Sequence, residues 1–281
     1  MRKADIAMYA AKGRGGNQAR FYSDRLAQRT RMRAALRLEL GEAIEQGQLV
    51  PYLQPVVDAR TRQVVALETL ARWVHPDRGV LAPADFLYDA EDFDLLDALT
   101  LRLVGDVFRH REALEERFPG IDVAFNLAPS QLQHPDLLAA LSRMATDGLR
   151  CTVEVTEAAA FGGDEESLRA LASLRALGVR TSLDDFGTGY SSVLHLKAFG
   201  FDEVKIDRNF VSGSSDGPDI ALVTAMVAMA RALGASTVAE GVETEAQAAA
   251  LEAVGVDRFQ GHLFARPMAL HDMLGWAAAR T

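Results

Sequence analysis

After Tyr52 the chain repeats one rhythm: a short apolar or β-branched run, an Ala/Leu-rich segment of helical period, then another such run. That alternation is the mark of βα units and of a sheet with helices packed outside it. The runs read as strands at Leu49–Pro55, Val64–Arg72, Ile121–Asn126, Cys151–Val155, Arg180–Leu183, Glu203–Ile206, Ser236–Ala239 and Arg258–Gln260. Eight strands joined in this way predict an α/β fold, a TIM-like (β/α)8 barrel. A chain of 281 residues, 49% hydrophobic, holds enough apolar surface for one such core. The first fifty residues lack the rhythm. Ala4–Gly13 and Arg25–Gln46 read as helices, the second a helical linker leading into the barrel.

Nearly every strand ends in a carboxylate, an amide or a lysine: Glu68, Asn126, Glu154, Asp184 with Asp185, Lys205 with Asp207, Glu240 with Glu243, and Gln260. One acid at a strand end is ordinarily a helix cap or a solvated loop residue. Recurrence on strand after strand is different, because strand C-termini in a barrel open onto one face and would gather these groups in one pocket. Two carboxylates about 4 Å apart repel by roughly 4 kcal/mol at an effective dielectric near 20. Lys205 supplies a single cation, so the remaining acids must be protonated, spread apart or bound to divalent metal ions. Oxygen ligands with an amide favour Mg2+ or Mn2+, whereas zinc would bring histidine or cysteine. Two such ions would clamp a phosphodiester and activate water. The glycine-containing turn DDFGTGYSS from Asp184 to Ser192 would run close to that pocket.

Composition narrows the partners. A net charge of −9 argues against binding nucleic acid polymers. The longest apolar stretch, Ile220 to Ala230, is about 11 residues, short of the roughly 20 needed for a span. The N-terminus has no apolar core followed by a small-residue cleavage site, so no secretion signal is read there. With Cys151 alone no internal disulfide can form, and a cytoplasmic setting is expected, with any membrane tether outside these residues. Cys151, Met226 and Met229 read as core, and His75 and His195 as surface or loop residues.

Ordered motifs then carry a resemblance: QPVVD at Gln54, ETLARW at Glu68, NLAPSQL at Asn126, EVTE at Glu154, DDFGTGYSS at Asp184, KIDRNFV at Lys205, AEGVET at Ala239 and QGHLFARP at Gln260. From about Arg33 to the end the chain resembles the EAL cyclic di-GMP phosphodiesterases. The resemblance implies that Glu68, Asn126, Glu154, Asp184, Asp185 and Glu240 hold two divalent cations, with Glu243 and Gln260 joining through water. It implies that Lys205 holds or polarises the nucleophilic water, with Glu240 the competing general base, and that Arg72 reaches a substrate phosphate. Gln54, Leu70, Asp207, Glu243 and Gln260 fall at substrate-binding positions. Glu157 is similar to a glutamate that steadies the loop carrying Gly187 and Gly189, a loop that also forms the family's dimer contact, so a homodimer is expected. The alternative is a non-catalytic receptor that binds cyclic di-GMP without cleaving it, or a signalling scaffold. Departures from the pattern are Thr69, Ala128 and His262, and the segment FLYDAEDFDLLDAL. At the N-terminus, ADIAMYAAKGRGGNQARFY resembles the end of a diguanylate cyclase (GGDEF) domain. The expected organisation is therefore residues 1–23 as a cyclase remnant, 24–46 as linker helix and 47–281 as the barrel, within a longer GGDEF–EAL tandem protein. The FGGDEE at Phe161–Glu166 is a chance likeness to the cyclase signature.

Overall fold

The computed structural model describes residues 24–157, 165–187, 200–212 and 219–278. Its strands are β1 (Leu49–Asp58), β2 (Val64–His75), β3 (Gly79–Leu81), β4 (Asp122–Asn126), β5 (Arg150–Thr156), β6 (Arg180–Phe186), β7 (Glu203–Ile206), β8 (Ser236–Ala239), β9 (Arg258–Gln260) and β10 (Met268–Ala269). Its helices are α1 (Asp24–Glu45), α2 (Leu87–Asp92), α3 (Leu96–Arg109), α4 (Arg111–Arg117), α5 (Pro135–Thr146), α6 (Glu165–Ala176), α7 (Arg208–Ser212), α8 (Ile220–Ala232), α9 (Glu245–Ala253) and α10 (Leu270–Ala278). Neighbouring strands run β1-β9-β8-β7-β6-β5-β4-β2, and the pairing of β1 with β2 closes the ring into an eight-strand barrel. The short strands β10 and β3 extend it alongside β1 and β2. All eight expected barrel strands are present. The helix expected at Ala4–Gly13 lies outside the described residues.

One strand departs from the all-parallel pattern. β1 runs antiparallel to both of its barrel neighbours, β2 and β9, while the pairs from β2 through β9 are parallel. The cause is the hairpin that follows β1. Asp58 Oδ1 accepts hydrogen bonds from the Arg60 and Thr61 amides at 3.1 and 2.7 Å and from the Thr61 hydroxyl at 2.9 Å, closing a turn where a crossover helix would otherwise stand. The antiparallel register sets Gln54 opposite Glu68, so mid-strand residues of β1 face the same lumen as the ends of the parallel strands.

The parallel strands are buried on both faces: apolar Val123, Phe125, Val153, Val155, Val204 and Ile206 alternate with Ala124, Thr152, Glu154, Glu203 and Lys205, which are buried on the lumen side. They pack outward against the helices in one large core, in which Cys151 and Met226 are ordinary apolar members. A second core seats α1. Leu40, Ala43 and Ile44 from that helix pack with Leu49, Trp73, Phe86, Leu99 and Leu103. Glu39 of α1 adds a 2.7 Å contact to His75 Nε2, and His75 is 5% exposed. Burial overturns the surface reading of His75; its Nδ1 accepts from the Asp77 and Arg78 amides, so Nε2 carries the proton donated to Glu39. His195 lies outside the described residues. Among the described residues no helix is long and apolar enough to cross a membrane.

Candidate active site

The barrel lumen is layered. Two residues back along the strands from Glu68 and Glu240 sit Ala66 and Val238, which with Val56 form a small apolar cluster. Above it the chain places its acids. Lys205 stands at the centre, 1% exposed, with Nζ 2.7 Å from Glu240 Oε1, 2.8 Å from Glu154 Oε2 and 3.6 Å from both Glu68 Oε1 and Asp184 Oδ1. Parallel pairing brings the strand ends together: Asn126 is in register with Glu154, and Asp184 is in register with Thr156, two residues beyond Glu154 on the same strand. Glu68 is bracketed by amides. It accepts from Asn126 Nδ2 at 2.8 Å and from Gln260 Nε2, and Gln260 in turn contacts Gln54 at 3.2 Å.

The strand end at Asp184 and Asp185 is irregular. The β6–β7 register slips between Leu183 and Phe186, Asp185 adopts φ +55°, and its amide donates to Asp184 Oδ1 at 2.9 Å. A non-glycine residue in this left-handed region is strained. Here it turns successive carboxylates the same way, so that Asp184, Asp185 and Glu240 each offer an oxygen within 4.8 Å of one another. Beyond them, the Gly187 amide donates to Glu157 Oε2 at 3.0 Å. Gly187 has φ +96°, and a Cβ there would lie 2.4 Å from the Met226 side-chain end and 3.0 Å from the Phe210 ring, so any other residue would be strained and would displace the Met226 end. Gly189 lies outside the described residues.

Electrostatics follow from five acids around one lysine. Burial, with repulsion from Glu68 and Asp184, pushes the Glu154 carboxyl well up against the pull of Lys205. Burial likewise pushes Glu240 up to about 7, with Lys205 opposing and Asp184 and Glu68 adding. Asp185 is raised by burial, by Asp184 and by Asp207. For Glu68 burial is outweighed by Lys205 and by the hydrogen bonds from Gln260 and Asn126, so its carboxyl stays low. Lys205 is held well above its ordinary value: burial disfavours its charge, but Glu154, Glu240, Glu68 and Asp184 more than compensate. The cluster thus carries more negative charge than it can balance, and it takes up protons or cations to hold together. In addition, Gln260 Oε1 is buried with no donor among the described residues. A surplus of hard oxygen ligands with an unused amide oxygen beside it suits divalent cations such as Mg2+ or Mn2+.

Over the acids opens a cavity of 570 Å³, lined among others by Gln54, Glu68, Leu70, Asp184, Glu240, Glu243 and Gln260. Two expected substrate-binding residues stand apart from that lining. Arg72 lies over the Tyr52 ring, 5.4 Å from its centroid, and donates to the Ala71 carbonyl at 2.8 Å. Asp207 is buried beside Asp185 and accepts from the Asn209 amide at 2.9 Å. Conversely, Arg208, Asn209 and Ser212 of α7 line the cavity, as does His262, and the α7 residues were not singled out by sequence. Their one signal was position, directly after the KID run.

The sequence pattern of the EAL domain matches residues 37–267. This chain belongs to the EAL domain family. It is 38% identical over 284 aligned positions, 99% of its length, to the Bifunctional diguanylate cyclase/cyclic di-GMP phosphodiesterase MucR of Pseudomonas aeruginosa. It is 38% identical over 230 positions, 80% of its length, to the Cyclic di-GMP phosphodiesterase RocR of the same organism. The chain spans 42% and 59% of these two relatives, so it matches only part of each. The EAL fold also matches a solved structure of the PaMucR phosphodiesterase in complex with c-di-GMP, with a TM-score of 0.78 and 38% identity, covering 85% of this chain and 99% of that one.

Proposed function

We propose that this EAL domain hydrolyses one phosphodiester bond of cyclic di-GMP, giving linear 5'-pGpG. The observation that carries the reading is the surplus of carboxylates gathered on buried Lys205 beneath an open cavity. Glu68, Asn126, Glu154, Asp184, Asp185 and Glu240 would hold two divalent cations, Mg2+ or Mn2+. Bound there, such ions supply Lewis acidity toward a phosphoryl oxygen and toward the attacking water.

The protein's own groups do the rest. Lys205 lies 2.7 Å from Glu240, and the two together can hold a water by donating to its lone pairs and accepting its proton. Glu240, the carboxylate in contact with Lys205, takes that proton, so Lys205 positions and Glu240 accepts. The water oxygen bonds to phosphorus, the bond from phosphorus to the 3'-oxygen breaks, the 3'-oxygen leaves as a hydroxyl by taking a proton from solvent in the open cavity, and the phosphate stays on the 5' side of the product. Gln54, Leu70, Glu243 and Gln260 shape the cavity for the dinucleotide, Asp207 holds Asp185, and Arg72 would swing from its place over Tyr52 to reach a substrate phosphate.

Two further proposals concern organisation. Glu157, through Gly187, anchors the loop expected to meet its counterpart in a homodimer. Residues 1–23 would be the end of a GGDEF domain, 24–46 the linker helix and 47–281 the barrel, in a longer tandem protein that acts in the cytoplasm; the match to a bifunctional relative supports this. The enzymatic reading is tested by incubating the protein with cyclic di-GMP and Mg2+ or Mn2+, with an EDTA control, and resolving nucleotides by chromatography. Metal-dependent pGpG is expected; tight binding without product would replace the enzyme with a receptor.

A further inference from the structure

A cyclic dinucleotide carries two phosphodiesters in one ring, and only one can sit over the acids. The other meets a cavity wall that must neutralise it without metal ions. Lys205 cannot do so, because it is 1% exposed and enclosed by four carboxylates. Among the residues lining the cavity, Arg208 is a cation of another kind. It is exposed, and its guanidinium makes no ion pair or hydrogen bond among the described residues, although Glu68, Asp184, Glu240 and Glu243 share the same lining. Its stem is seated rather than free. Gly241, at φ +67°, leaves room for it: a Cβ on Gly241 would stand 2.6 Å from the Arg208 Cβ. Asn209 and Ser212 of α7 line the same cavity and add polar groups to that wall.

We infer that Arg208 binds the second, uncleaved phosphate of the substrate and so selects a cyclic dinucleotide over a single phosphodiester. A planar guanidinium presents two parallel donors that match two phosphate oxygens, which suits a ligand held by one end at the acid floor. The inference rests on the phosphodiesterase reading above and deepens it. The test is the KM and kcat for cyclic di-GMP of the wild type and of Arg208→Ala, Arg208→Gln and Arg208→Lys, each with Mn2+. Loss of a charge-assisted contact should raise KM of Arg208→Ala about 10- to 100-fold, with a smaller fall in kcat. Arg208→Gln, which keeps a donor and loses the charge, should behave like Arg208→Ala, while Arg208→Lys recovers part of the loss. A KM in Arg208→Ala within about twofold of wild type, well under the tenfold that a contact of this kind is worth, overturns the inference. Recovery by Gln but not by Lys overturns the phosphate assignment in favour of a base edge. Absence of product from the wild type is a separate outcome, which sinks the phosphodiesterase reading and this inference with it.

Discussion

The two ends of the barrel lumen bury charge in opposite ways. At the end where the parallel strands begin, acids and arginines pair one to one. Asp122 accepts from Arg180 at 2.8 Å and from Thr152 at 2.9 Å, and Glu203 accepts from Arg258 at 2.6 Å and from Ser182 at 3.1 Å. At the end where the strands finish, four carboxylates crowd one lysine and a fifth lies beside them. Both sets sit on the same strands, only a few residues apart. The paired end needs nothing from outside, whereas the crowded end is unbalanced until protons or cations arrive. Buried pairs that are fully satisfied serve the fold; a buried surplus costs stability and is a mark of function.

Breaking the crowded end should therefore damage chemistry first. Glu68→Ala removes a residue that the proposal makes a metal ligand, and hydrolysis should fall by about three orders of magnitude, equivalent to several kcal/mol of transition-state stabilisation. Product formation in that variant at the wild-type rate would remove Glu68 from the ligand set. Lys205→Ala should lower kcat by about 100-fold or more while leaving cyclic di-GMP binding measurable by calorimetry. The same change leaves four buried acids without their cation, so the metal-free variant should also melt earlier. Breaking the paired end should do the reverse. Arg180→Ala strands the Asp122 carboxylate, 3% exposed, and should cost about 3 kcal/mol in a denaturant titration with little change in turnover. A large kcat loss from Arg180→Ala would blur the distinction between the ends.

The smallest expected effect is on pH dependence. Glu240 is raised from an ordinary 4.5 to about 7, so its protonated form is favoured in the folded protein. Its contribution to stability is fully present below about 4.5 and is lost as the pH rises through about 7. Without metal, the melting temperature should thus decline between those values. Cations that replace the proton should raise it more at pH 8 than at pH 5.5, and an equal increment at both would contradict the charge argument.

Much of this contrast was legible in the sequence because it repeats. The seven strand ends carrying Glu68, Asn126, Glu154, Asp184, Lys205, Glu240 and Gln260 announced both the barrel and the acid cluster, since parallel strands all finish on one face of the barrel. What stayed hidden depended on single long-range contacts. The direction of β1 is set by the Asp58 turn and leaves no trace in the apolar pattern of the strand itself. His75 looked like a surface residue because its partner, Glu39, lies 36 residues earlier on a helix whose docking no local pattern reveals. Arg72 carries a motif position, yet where its guanidinium rests is decided by the Tyr52 ring on the neighbouring strand. Arg208 became visible as part of the cavity only when α7 had been placed against Gly241.

The central claim is that the surplus of acid exists to hold divalent cations. Calorimetric titration of Mn2+ into EDTA-stripped protein at pH 8, for wild type and Glu68→Ala, tests it most directly. The account expects saturable binding of two equivalents in the wild type, with at least one lost in the variant. Failure of the wild type to bind Mn2+, or binding unchanged by Glu68→Ala, would contradict it.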